Sequence, residues 1–197
     1  MVINDGIYTP NEKENSLKTS PWNIATSFEV DMSFSSAEIM TMLVEYEKDY
    51  ATGMDMKVVS EEISAYTSGY PFMVSRICQI IHTKLAKDWT VFGVRTAVAV
   101  LVREDNQLFK DLAKNLENHR DLYDLMYSVL ILRLRISFSN DIPVIEAAYR
   151  YGYIKFDQRY AISVFNRIFE TRISNYFVLK NVLSKPQTAS KNERFVS

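Results

Sequence analysis

The sequence predicts a mainly α fold: four helices in a row, then a further helical unit that carries one small β-hairpin. Three observations predict it. Between residues 36 and 103 apolar residues recur at spacings of three and four through successive windows, the period of helices with one buried face. Those windows are separated by stop and start signals, most plainly Thr67-Ser68-Gly69-Tyr70-Pro71. There glycine suits a left-handed residue at a helix end, and proline suits the first turn of the next helix. Further on, Tyr153–Phe156 and Tyr160–Val164 flank Asp157-Gln158-Arg159, the pattern of two short strands around a turn.

The elements follow in order. Residues 1–20 are polar and irregular, with turn signals at Asp5-Gly6 and Pro10-Asn11. Phe28, Val30, Met32 and Phe34 alternate with polar residues, as in a half-buried strand. Ser35 and Glu38 have the spacing of a capping box and open a helix over 36–50. Its apolar stripe is Ile39, Met42, Leu43, Tyr46 and Tyr50, and Thr52-Gly53 ends it. A second helix covers 55–67 with Val58, Val59, Ile63 and Tyr66 on one face. A third runs over 71–87 through Met73, Ile77, Ile80, Ile81 and Leu85, and a fourth over 91–103. Leu108–Leu116 and Leu122–Leu132 are further helical runs, and Ile142-Pro143 starts a short helix that Gly152 breaks. After the hairpin, a last helix from Arg167 to Leu183 carries Ile168, Phe169, Ile173, Phe177 and Val178. Helices, hairpin and final helix in this order form a winged-helix pattern.

With 197 residues, 47% of them hydrophobic, the chain can bury a real core. The net charge of −1 is unevenly spread. Residues 29–62 hold nine acids and two bases, whereas residues 133–185 hold nine bases and four acids. The split points to an acidic helical unit followed by a mildly basic one. Cys78 is alone, so no disulfide framework exists and a reduced setting is expected. There is no run of eighteen apolar residues and no basic-then-apolar leader, which leads to the expectation of a cytoplasmic protein without a membrane partner.

A phosphate-binding loop is absent. The five glycines, at positions 6, 53, 69, 93 and 152, open no Gly-x-x-x-x-Gly-Lys-Ser/Thr pattern, and no apolar strand ends in paired acids for Mg²⁺. Phosphoryl transfer needs both parts, so the chain alone is expected to have no ATP hydrolysis, no catalytic residue and no cofactor. His119-Arg120-Asp121-Leu122 mimics a kinase catalytic loop but has Met126 where asparagine is required. His82 is the only other histidine, so no metal-ligand cluster is expected. Glu61-Glu62 reads as a solvated helix face.

The block Tyr66-Thr67-Ser68-Gly69-Tyr70-Pro71-Phe72-Met73-Val74-Ser75-Arg76 resembles the Gly-x-Pro lid motif of bacterial AAA-like, STAND-type P-loop ATPases. Segments like those that accompany the motif stand here in the same order: Ser20-Pro21-Trp22-Asn23-Ile24-Ala25, Asp31-Met32-Ser33-Phe34-Ser35, Glu45-Tyr46-Glu47 and Thr52-Gly53-Met54. Gly152-Tyr153-Ile154-Lys155-Phe156 and Asn166-Arg167-Ile168-Phe169-Glu170 resemble the family's C-terminal winged-helix region. The resemblance covers about residues 20–180 and implies a helical lid bundle followed by a winged-helix domain, without the Walker A and B core. It divides the chain into a core remnant or linker at 1–34, a lid at 35–104, a winged-helix-like domain at 105–184 and a flexible tail at 185–197. It implies that Gly69, Tyr70 and Pro71 face a nucleotide held by a P-loop core, with ATP and Mg²⁺ as the intact family's ligands. Arg76 would then reach toward a γ-phosphate, and Trp22 and Asn23 would lie near the adenine. Read without the resemblance, the same residues are a helix corner, a solvated or salt-bridged helix arginine and a packed tryptophan.

Two other readings stand beside it. A winged helix can bind DNA, with Arg150, Lys155 and Arg159 as candidate phosphate contacts, although so few charges supply little affinity at physiological salt. Alternatively the chain self-associates through apolar surface that a missing core once covered.

Overall fold

The computed structural model describes residues 33–184, and among them it is mainly helical, with one small antiparallel sheet. Helices α1 (Ser36–Tyr50), α2 (Met56–Thr67), α3 (Pro71–Lys84) and α4 (Val91–Arg103) form the first group. Helices α5 (Gln107–Asn118), α6 (Arg120–Leu130) and α7 (Pro143–Arg150) follow, then strands β1 (Ile154–Phe156) and β2 (Ile162–Val164), then α8 (Arg167–Ser184).

Local chemistry explains most boundaries. The Ser35–Glu38 capping box is made, with Ser35 N–H donating to Glu38 at 2.7 Å and Glu38 N–H donating to Ser35 Oγ at 3.2 Å. Each bond satisfies a donor that a helix start leaves without a partner. Asp55, Thr90 and Asn106 cap α2, α4 and α5, each accepting one backbone N–H, and Asn166 accepts from Phe169 N–H at 2.8 Å in the first turn of α8. Glu47 accepts from Thr52 Oγ1 and from Gly53 N–H, both at 2.6 Å. The Thr52-Gly53-Met54 segment is thus the tied-down end of α1.

Several expectations need correction. The strand over 28–34 falls mostly outside the described residues, and its last two, Ser33 and Phe34, have irregular backbone. Helix α3 stops at Lys84 rather than Lys87, because Ala86 and Lys87 both take left-handed φ, 48° and 61°. Helix α6 stops at Leu130, and Arg133 with φ 57° turns the chain away. Met42, Tyr50 and Val58, assigned to buried stripes, are exposed.

The strands pair Ile154 with Val164, Lys155 with Ser163 and Phe156 with Ile162. Asp157 Oδ1 closes the turn by accepting from Arg159 N–H and Ala161 N–H at 2.8 and 3.0 Å. An isolated antiparallel bridge, Ser137 to Ala161, lies beside the hairpin. Helix α8 packs against α2, α4, α5 and α6. One hydrophobic cluster therefore runs through Ile63, Ile77 and Leu101 into Phe109, Phe169 and Phe177. The core is continuous across the expected boundary at residues 104 and 105.

Candidate functional site

The corner between α2 and α3 is built as the sequence requires. Helix α2 ends with Ser68 in the left-handed region at φ 48°, and Gly69 follows at φ +75°. Thr67 Oγ1 donates to Ile63 O at 2.9 Å and accepts from Gly69 N–H at 3.1 Å. Phe34 N–H donates to Gly69 O at 2.9 Å, so the entry segment is laced to the turn. A Cβ on Gly69 would lie 1.9 Å from Phe34 O. Glycine is therefore demanded twice here, by the backbone angle and by the close approach of another backbone.

Beyond the turn, Pro71 occupies the first position of α3, and no side chain among the described residues caps this helix. The first intrahelical bond is Val74 N–H to Tyr70 O at 3.0 Å. The amides of Phe72 and Met73 precede it and belong to the donors that a helix N-terminus presents without intrahelical partners. With the positive end of the helix dipole, these are the elements of an anion-facing edge. Tyr70 points elsewhere. Its ring is buried, edge-on to Phe165 at 6.0 Å and to Phe169 at 5.4 Å, and burial raises its phenol above the ordinary tyrosine range. Only its backbone stays at the corner.

Lys155 of β1 comes to the same place. Its Nζ donates to Ser68 Oγ at 3.0 Å and lies 5.9 Å from the Phe165 ring. Partial burial lowers its amine below the usual lysine range. This lysine also complements the carbonyl end of α2, where a cation is favoured. Arg167 adds a second cation, its guanidinium 5.6 Å from the Tyr66 ring.

The remaining candidates are dispersed. Arg76 donates through Nε to Glu104 at 2.8 Å and through Nη2 to the other carboxylate oxygen, while Nη1 meets Gln79. This bidentate pair ties α3 to the end of α4, raises the arginine and lowers the Glu104 carboxyl. Arg76 is thus engaged away from the turn. Trp22 and Asn23 lie outside the described residues. Arg150 pairs with Glu146 of its own helix at 2.7 Å, and Arg159 sits on the exposed hairpin turn. Lys155 is half-buried against Ser68, whereas Arg150 and Arg159 are exposed.

Other chemistry is sparse. Among the described residues no cluster of His, Cys, Asp and Glu could hold a metal. His82 Nδ1 shares a 2.7 Å hydrogen bond with the Tyr46 hydroxyl and sits among Tyr46 and Tyr50. Burial pushes the Cys78 thiol up to about 12, so it is not a thiolate near neutrality. The kinase-like His119-Arg120-Asp121-Leu122 is the start of α6, with Arg120 paired to Asp124. No helix among the described residues is long and apolar enough to cross a membrane.

Sequence reasoning missed Ser68, the Phe34 contact and the inward role of Lys155. No local signal marks them: Lys155 and Ser68 are 87 positions apart. Compared with known protein families, with curated proteins and with solved structures, the chain matches none.

Proposed function

We propose that this chain is the lid and effector part of a STAND-type, AAA-like nucleotide switch and acts only together with a P-loop core. In this reading the backbone of Gly69, Tyr70 and Pro71 and the open amides of α3 face the phosphates of ATP bound with Mg²⁺ on that core. Lys155 is added to the nucleotide-facing set, and Arg76 joins it only by leaving Glu104. The observation that carries the reading is one corner combining a helix start that no described side chain caps, a backbone-clamped glycine and a half-buried lysine. These features suit an anion. The unit after residue 104 is read as winged-helix-like, on the order α6, α7, hairpin, α8 and on the Ser137–Ala161 bridge beside the hairpin. Only α7 lies between that bridge and β1.

Because the two units share a core, they would move together when nucleotide is bound. A ligand shifts such an equilibrium only by contacting its two states differently. The test is to add the chain to its cognate P-loop core and titrate MgATP calorimetrically. Tighter binding than by the core alone is expected, with the gain reduced by Lys155→Gln. Unchanged affinity would sink the proposal, as would ATP hydrolysis by this chain in isolation.

A further inference from the structure

Between α5 and α8 lies a half-open cavity of about 200 Å³. Its walls are mostly apolar, including Leu112, Leu116, Ile173 and Leu179, with the polar Asn175 at the exposed side of α8. One charged group interrupts them. Arg172 of α8 lines the cavity, partly buried, with its guanidinium stacked 4.4 Å over the Phe109 ring. Nη1 donates to Val102 O at 2.9 Å, at the carbonyl end of α4. Its other N–H groups have no hydrogen-bond partner among the described residues, and Asp105, whose carboxylate favours the arginine's charge from a distance, pairs at 3.0 Å with Lys110 rather than with Arg172.

This combination is unusual for a structural arginine. A guanidinium carries five donors in a fixed fork suited to a carboxylate, and here most of the fork is left unused beside an apolar wall. Partial burial works against its charge and lowers its pKa, a cost that a bound anion would offset. The cavity also has direction. On α8, Arg172 and Leu179 are seven residues apart, about 10 Å along the axis. From Leu179 the apolar surface continues to the exposed Val182 and Leu183. An anionic head at Arg172 therefore fits with an aliphatic tail lying toward Leu179.

We infer that the α5–α8 cavity is a binding site for a small amphiphilic anion, a carboxylate with an aliphatic chain, held by the free donors of Arg172 and by the Leu112–Leu179 walls. The site is separate from the corner at Gly69 and does not depend on the proposed nucleotide role. Octanoate and octanol are the probes, titrated into the full chain and followed by amide shifts in a nitrogen–proton correlation spectrum. Octanoate is expected to shift residues on α5 and on the 172–179 stretch of α8, and to bind at least tenfold more tightly than octanol. Arg172→Met should remove that preference, and Ala113→Phe, which narrows the cavity without touching the arginine, should weaken both probes at least tenfold. Far-UV circular dichroism keeps loss of fold apart from loss of binding. If Arg172→Met does not fold, the octanol comparison and Ala113→Phe decide the matter. Equal affinity for the two probes, or shifts confined to another surface, would overturn the inference. So would an acidic amphipathic peptide that occupies the cavity where octanoate does not.

Discussion

Replacing Gly69 with alanine tests the corner more sharply than any other single change. The added Cβ would sit 1.9 Å from Phe34 O and 2.8 Å from Phe34 N. Atoms of a backbone cannot yield as a flexible side chain can, so the turn and the entry segment must separate. Two costs follow. Holding a non-glycine residue at φ +75° costs about 1–2 kcal/mol. Losing the Phe34 to Gly69 hydrogen bond costs about 1 kcal/mol more. The sum is about 2–3 kcal/mol, before any repacking of the Phe34 side chain. Gly53→Ala is the internal control. Gly53 has nearly the same φ, +74°, but a Cβ there meets nothing within 4 Å. Only the conformational cost applies, about 1–2 kcal/mol. Urea denaturation of both variants, followed by circular dichroism, measures the difference. At this chain length each kcal/mol moves the thermal midpoint by roughly 2–4 °C, so heating curves give an independent reading. Equal destabilisation by the two substitutions would refute the claim that Phe34 clamps the corner.

Three further outcomes are expected. Arg76→Met should cost about 1 kcal/mol at neutral pH, as for a well-formed bidentate pair near the surface. The folded-state Glu104 pKa is depressed, so this contribution is present above the unfolded carboxylate value and is lost as pH falls through the folded one. The gap between wild type and variant should accordingly close in acid, as read from urea midpoints at pH 7 and pH 3. Lys155, with its amine pulled down by burial, should titrate below the solvent-exposed lysines in a carbon-detected NMR titration; a normal value would argue against its inward position. Cys78, with its thiol near 12, should react with iodoacetamide at pH 8 at least tenfold faster in urea than in the native protein. Comparable rates would contradict the raised thiol pKa that its partial burial implies.

What the sequence made legible was local. The Ser35–Glu38 box, the Gly69-Tyr70-Pro71 corner and the Asp157 turn each specify a backbone geometry within a few residues, and all three stand in the structure. Helix ends set by left-handed residues other than glycine were missed, because Ala86, Lys87 and Arg133 carry no such signature. The burial errors have a different origin. Val58 and Val59 are adjacent in sequence, so about 100° of helix separates them, and tertiary packing decides which one faces the core. The site was half legible. Its turn could be read directly, but its cation could not, since Lys155 in a three-residue strand has two faces and nothing nearby says which is inward. Arg76 shows the same limit, its partner Glu104 lying 28 positions on.

The long-range contacts also change what kind of movement the proposed switch could use. A lid that swings against its own C-terminal unit would have to pull Tyr70 away from Phe165 and Phe169 and break the Lys155–Ser68 bond. It would also strip α8 from α2 and α4. Exposing one buried aromatic side chain alone costs on the order of 2–3 kcal/mol, and several would be exposed together. Coupling energies between ligand sites are typically about 1–3 kcal/mol, too small to open such a core. Nucleotide contact at the corner is therefore expected to move lid and hairpin unit as one body. Lys155→Gln should accordingly weaken nucleotide binding at the corner while leaving the two units joined, since the shared core and not the Lys155–Ser68 bond holds them together.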